Sequence, residues 1–262
     1  MMKYLAILAV SMLFLGQPAL AAGGGVLVLG GTGQLGSEIV KYLVQASKVV
    51  TVLARPTSNR ARLEGLDVDY VVGDMLVDAD MERVFTSASY DAVVDASSQA
   101  FGGDQKFYEQ SQVLISKWAS ASGVDQIILH GAIGAADSGK LIYVEKTHPV
   151  QQTAIASKTI AEGTLINSGV PHTIIRHLTL LSMETQESGN ARLTTDLTAV
   201  GAMTRDGLAR LTMECLGNNE CLNVIFHAVD DDVELTQRTV ANWEAVIKPE
   251  YMVDRATLNI VD

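Results

Sequence analysis

The sequence predicts an α/β fold, a doubly wound parallel sheet, and three observations carry that expectation. Short apolar runs rich in Val, Ile and Leu alternate with longer stretches of helical period, the pattern of β-α-β units whose strands are covered on both faces. The first such run, Val26-Leu27-Val28-Leu29, leads straight into glycines at 30, 31, 33 and 36 and then into an amphipathic segment. The 262 residues are 48% hydrophobic with five prolines and no internal repeat, so one large core is expected and no linker divides it.

In chain order, residues 1–22 read as a separate leader. Lys3 gives a basic start, Tyr4 to Leu15 form an apolar run, and Gln17-Pro18 breaks it before Ala19-Leu20-Ala21-Ala22, the layout of a secretory signal peptide. The run is about twelve residues against the ~20 that span a bilayer, so export to the periplasm or the exterior is expected, with anchoring the outcome if the leader stays uncleaved. Residues 23–262 are then one folded domain, its part from about 178 to 262 forming the substrate side.

Strands are expected at 26–29, 49–53, 69–72, 92–95, 126–129, 173–176 and 224–227, and helices at 34–46, 79–88, 104–122, 153–168 and 233–247. The third helix places Phe107, Leu114, Trp118 and Ala121 on one stripe, read as core packing, and ends at Gly123. The fourth is closed by Gly169 ahead of Pro171.

The Gly-x-x-Gly-x-x-Gly spacing at the end of a strand and the start of a helix is the context a dinucleotide site requires, and it makes the sheet Rossmann-type. Gly30 permits the tight turn, Gly33 lets backbone approach a pyrophosphate, and Gly36 lets helix and strand pack closely. Thr32, Gln34 and Leu35 complete this candidate phosphate cradle at the positive end of the helix. At the end of the second strand, where an acid would accept from a ribose hydroxyl, stand Arg55 and Arg60 with Ser58 and Asn59 between them. A guanidinium there suits a 2′-phosphate, so NADP(H) is favoured over NAD(H), the alternative being arginines of a solvated loop. Asp74 and Met75 after the third strand, and Ser97 and Ser98 after the fourth, are further candidate cofactor contacts, with Asp74 equally suited to cap a helix.

Thirty acids against nineteen bases give a net charge of −11, which disfavours nucleic acid as a partner. Cys215 and Cys221 flank a turn-rich loop; a disulfide is favoured in an oxidising compartment, and two buried thiols are the alternative. His148, His172, His177 and His227 show no ligand spacing, so no metal site is expected.

With the Gly30 loop, Arg55 and Gly73-Asp74, the stretch Ile127-Ile128-Leu129-His130-Gly131-Ala132-Ile133-Gly134-Ala135, and Ser157-Lys158 through Glu162 to Arg176, the chain resembles the atypical short-chain dehydrogenases of the NmrA-like and isoflavone-reductase-like group. Thr204-Arg205-Asp206-Gly207-Leu208-Ala209-Arg210 is similar to that group's late helix. The superfamily's Tyr-x-x-x-Lys pair is incomplete, because Ala154 stands four before Lys158, and His130-Gly131-Ala132 occupies the place of the usual serine. Tyr143 precedes Lys146 by three, one residue short of that pair's spacing, and the two are expected to point along different faces.

The resemblance implies hydride transfer between NADP(H) and a small organic substrate, with Lys158 as acid/base, the alternative being a solvent lysine paired with Glu162. His130, at the end of a strand facing the expected cleft, is a second acid/base candidate, the alternative being a structural histidine. It leaves open a protein that binds the dinucleotide without turnover, a sensor or assembly factor. The substrate is expected against the polar stretch from Ser182 to Met203, with Glu184, Glu187, Asn190 and Arg192.

Overall fold

Parallel strands buried on both faces need helices between them, and the chain supplies one in four of the first five connections, the second connection holding only a 3₁₀ turn at Ala61–Leu63. The computed structural model describes residues 24–181 and 190–261. Strands β1 (Gly25–Leu29), β2 (Val50–Ala54), β3 (Asp69–Val72), β4 (Tyr90–Asp95), β5 (Gln126–Ala132) and β6 (His172–His177) are joined by helices α1 (Gln34–Gln45), α2 (Asp78–Thr86), α3 (Phe107–Ala121) and α4 (Pro149–Ser168). Short strands β7 (Thr179–Leu181), β8 (Ala191–Thr194) and β9 (Ala202–Thr204) follow, then α5 (Arg205–Cys215), β10 (Val224–Asp230), β11 (Leu235–Thr236), α6 (Gln237–Val246) and β12 (Ile260–Val261).

The main sheet has eight strands in the order β3-β2-β1-β4-β5-β6-β10-β8, parallel except for β8, which pairs antiparallel with β10 at the edge. The order reverses between β1 and β4, so a crevice opens beyond the carboxyl ends of those strands, where Rossmann-type folds bind their ligands. The predicted doubly wound fold is therefore present. Alternating strand residues feed two cores: Val26, Val28 and Ile128 pack with Ile39 of α1 and Leu208 of α5. Leu27, Leu29 and Ile127 pack on the opposite face with Met81 of α2, Ile115 of α3 and Leu165 of α4. A third cluster joins Ile133 and Leu141 to Val240, Trp243 and Ile247 of the C-terminal part.

Four local expectations are corrected. The second strand starts at Val50, because Val49 is 65% exposed and only its carbonyl joins the sheet, accepting from the Val26 N–H. Helix α4 starts at Pro149 rather than 153: His148 and Gln151 form a reciprocal capping box, and proline suits the first helical position. On α3 the deepest face carries Ser111, Gln112, Ile115 and Ala119, with Phe107, Leu114 and Trp118 only partly buried and Ala121 exposed. The reason is that α3 packs beside α4 as well as on the sheet, which rotates its contact face. The last helix is shorter than 233–247, since Leu235 and Thr236 are taken up in a parallel pair with Ile260 and Val261.

Cys215 and Cys221 form a disulfide with Cα atoms 5.4 Å apart. The carbonyls of the two half-cystines accept from Gln126 Nε2 at 2.9 Å and Thr173 Oγ1 at 2.7 Å, which ties the end of α5 to the starts of β5 and β6. The leader at 1–22 lies outside the described residues, and among these no helix is long and apolar enough to cross a membrane.

Candidate functional site

The crevice between β1 and β4 is a cleft of about 520 Å³, inside the range of small-molecule sites. Gly30 turns the chain at φ +74°, and a Cβ there would lie 2.5 Å from Ser97 Cα, so only glycine lets the β1 and β4 loops meet. At Gly36 a Cβ would run into the Gly30 carbonyl, so that glycine sets the contact between α1 and the turn. Gly33 caps α1 with no side-chain hydrogen bond, and the first turn of the helix holds no acid. Its amides and dipole are thus available to an anion, and the cradle fits a pyrophosphate.

Of the predicted cofactor residues, Gly30, Thr32, Gly33, Gln34, Leu35, Arg55, Asp74, Met75, Ser97, Ser98 and Lys158 line this cleft. Arg55 is exposed on its wall beside Ser58, whose Oγ accepts from the Arg55 N–H at 3.0 Å. Arg60 does not line the cleft: its guanidinium lies over the Tyr70 ring, 4.2 Å from the centroid. Asp74 makes a local turn, Oδ1 accepting from the Leu76 N–H at 2.9 Å, while α2 begins only at Asp78. Asp95 is buried and its Oδ1 accepts from the Ser97 N–H at 2.9 Å, fixing the loop that faces the glycine turn.

Lys158 projects from α4 through the far wall of the cleft. Its Nζ donates to the His130 carbonyl at 3.2 Å and lies 4.4 Å from the centre of the Tyr108 ring. Burial lowers its pKa, outweighing the opposing pull of the carboxylates of Asp95 and Glu162. His130 also lines the cleft but is buried, and burial with the nearby Lys158 charge drops its pKa to about 3. Thr212 donates its hydroxyl to the Leu208 carbonyl at 2.7 Å, so His130 Nε2–H donates to Thr212 Oγ1 at 3.2 Å and Nδ1 is left as a buried bare acceptor.

The cleft residues missed in the sequence include Phe107 and Tyr108 at the start of α3, His177 at the end of β6, and Arg205 at the start of α5. Phe107 had the spacing of a core residue, and Arg205 stood out only through the family's late helix. Behind the cleft Arg176, 1% exposed, donates to both oxygens of Glu162 and through Nη1 to Asp137 at 2.6 Å. No spacing rule marks that cluster.

A second chamber of about 630 Å³ opens beside the cleft and shares Lys158 and His177 with it. Its walls are Ile133, Ile142, Lys146, Ala154 and Ile155 on one side and Thr239, Trp243 and Val246 of α6 on the other. Of the expected substrate stretch, residues 182–189 lie outside the described residues and 190–203 line neither cavity; Arg192 pairs with Asp231 at 2.9 Å and the Asn190 N–H donates to Asp230 at 2.9 Å. Glu184 and Glu187 lie outside the described residues. Tyr143 and Lys146 do not diverge as expected. Residues three apart share a face of any helix, and they eclipse in the 3₁₀ turn Val144–Lys146 that Tyr143 caps, so Lys146 Nζ stands 3.8 Å from the Tyr143 ring centre.

A Rossmann-type sheet with a glycine cradle at its switch point defines a dinucleotide-binding protein. The chain belongs to the NAD(P)H-binding family, whose pattern matches residues 30–219, in line with the resemblance to atypical short-chain dehydrogenases. A curated relative is a UDP-glucose 4-epimerase of Oryza sativa, 30% identical over 114 residues that make up 37% of this chain and 30% of the epimerase. The chain thus spans about a third of that relative's length. Among solved structures, an anaerobillin reductase from Escherichia coli superposes with TM-score 0.68 at 20% identity, covering 80% of this chain and 98% of the reductase. A short-chain dehydrogenase/reductase from Veillonella parvula in complex with NADP gives 0.64 at 15%, covering 80% and 96%. At those identities the likeness is one of fold.

Proposed function

We propose that the protein is an NADP(H)-dependent oxidoreductase acting on a small organic substrate, with Lys158 holding the proton. The observation that carries this reading is the position of Lys158, the desolvated ammonium on the wall shared by the cleft and the second chamber. The glycine cradle from Gly30 to Gly36, with Ser97 opposite, would hold the pyrophosphate, and Arg55 with Ser58 would receive the 2′-phosphate. When bound, the dinucleotide supplies or accepts the hydride.

The chain's own part is to orient the ligand, exclude water and move a proton at Lys158 Nζ. Burial lowers the pKa of that amine, so it gives up its proton more readily than an exposed lysine does. His130 suits this role less, because an imidazole held at about 3 and hydrogen-bonded to Thr212 stays neutral. The expected leader would place the reaction outside the cytoplasm, and the Cys215–Cys221 disulfide suits such a compartment.

Ala154 on the chamber wall, where the superfamily's tyrosine stands, favours a second reading: a protein that binds the dinucleotide as a sensor or assembly factor without turnover. Fluorescence titration with NADPH and NADH, followed by NADPH oxidation with enone and aldehyde substrates, separates the two. The oxidoreductase reading expects tighter binding of NADPH, a fall of roughly ten- to hundredfold for NADPH alone in Arg55→Ala, and turnover that Lys158→Met abolishes. Equal affinities for the two cofactors remove the role given to Arg55, and binding without turnover selects the second reading.

A further inference from the structure

The protein carries a net charge of −11, yet its second chamber holds no carboxylate among the described residues that line it. The charged and titratable groups there are Lys146, His148, Lys158 and His177. In so acidic a chain, a cavity lined this way is a local reversal of the molecule's field, and low-dielectric walls focus such a reversal onto an incoming anion.

Hydrogen-bond accounting at the mouth points the same way. Gln151 Oε1 accepts from the His148 N–H at 3.2 Å, and His148 Nδ1 accepts from the Val150 N–H at 3.2 Å. Both acceptors are consumed by the helix cap, which leaves His148 Nε2–H, the Gln151 amide N–H groups and the Lys146 ammonium as donors. Lys146 makes no ion pair among the described residues. Its partner is the face of the Tyr143 ring, which attracts the cation without neutralising it, and Lys248 stands over the same ring at 5.8 Å. The mouth therefore presents donors and uncompensated positive charge, while the walls beyond it are apolar, built from Ile133, Ile142, Ile155 and Trp243.

We propose that this chamber takes an apolar organic acid, its carboxylate held at the mouth by Lys146, His148 and Gln151 and its reducible end beside Lys158. The orientation rests on the oxidoreductase reading; the anion site rests on the chamber alone. A neutral ester of the same acid loses the charge-assisted bonds, and an amine of the same shape meets like charge.

Trp243 reports the binding directly, and Trp118→Phe leaves it the only tryptophan of the chain. In that background, quenching by 2-naphthoate, methyl 2-naphthoate and 2-naphthylmethylamine is titrated, with NADPH binding measured on the same samples. The carboxylate is expected to bind about tenfold or more tightly than the ester, and the amine most weakly. Lys146→Gln, at an exposed position outside the cofactor cleft, is expected to erase most of the preference and leave NADPH affinity unchanged. Ester binding equal to acid binding in a protein that binds NADPH, or a preference that survives Lys146→Gln, overturns the anion site. A preserved preference in a protein that binds no NADPH overturns the oxidoreductase reading instead.

Discussion

Replacing Glu162 by Gln removes one charge from the most enclosed ion pair among the described residues. Arg176 is 1% exposed and the Glu162 side chain 2%; three contacts join them, Nε to the two carboxylate oxygens at 3.1 and 3.2 Å and Nη2 to Oε2 at 2.7 Å. After the substitution the guanidinium keeps a full charge, one amide oxygen and Asp137, whose side chain is 54% exposed. Breaking one partner of a buried pair costs about 3–5 kcal/mol, because the survivor stays desolvated. Since Gln keeps one acceptor, about 3 kcal/mol is expected, a fall in Tm on the order of 10 °C for a domain of this size.

Urea and thermal denaturation followed by circular dichroism measure it. Gly131→Ala gives an independent approach to the same pair, since its Cβ would lie 2.7 Å from Glu162 Oε1 and 3.1 Å from Arg176 Cγ. The two substitutions should be strongly non-additive, both acting by separating one carboxylate from one guanidinium. A loss under about 1 kcal/mol for Glu162→Gln, or full additivity, refutes the assignment of this pair as a structural anchor. Glu162 also helps keep Lys158 charged against the effect of burial, so in the variant the amine's pKa falls further and the matching limb of a pH–rate profile moves to lower pH.

Acid sensitivity follows from His130. Its folded pKa of about 3 lies below the ordinary 6.5, so its neutral burial contributes stability above about 6.5 that is lost as pH falls towards 3. Unfolding free energies from urea titrations at about pH 7 and pH 5 should differ by about 2 kcal/mol from this group, and His130→Gln should flatten the difference; an unchanged slope contradicts the burial argument. His177, also held well below its ordinary value by burial, acts in the same direction. Removing the disulfide as Cys215→Ser with Cys221→Ser should cost about 2 kcal/mol, the value expected for so short a loop, and denaturation with and without reductant checks it. No change in stability there would mean that the hydrogen bonds of Gln126 and Thr173 fix the end of α5 without the crosslink.

Much of the site could be read from the sequence because it is local. The Gly30 turn, the amides of α1 and the loops after β2, β3 and β4 are each set by a few consecutive residues, and parallel pairing brings their carboxyl ends to one edge. Arg60 shows the limit of that reasoning. Five residues from Arg55, it has the same chemistry, yet the Tyr70 ring on the neighbouring strand draws its guanidinium away. Lys158 was legible as a candidate through its family motif, but its desolvation was not, since that depends on the Tyr108 ring and the His130 carbonyl.

By itself the sequence determined the alternation of strands and helices, the glycine cradle and the acidic charge, all of which are properties of short segments or of sums. Only the tertiary structure decided which distant groups meet. Arg176 finds Glu162 and Asp137 because β6, α4 and the loop after β5 converge, and Arg205 reaches the cleft because α5 packs beside α1. The second chamber, without a carboxylate among its described lining residues, likewise arises where the β5–α4 connection faces Trp243 of α6. Periodicity fixes which face of an element is buried; the register between elements far apart in the chain fixes what lies against it.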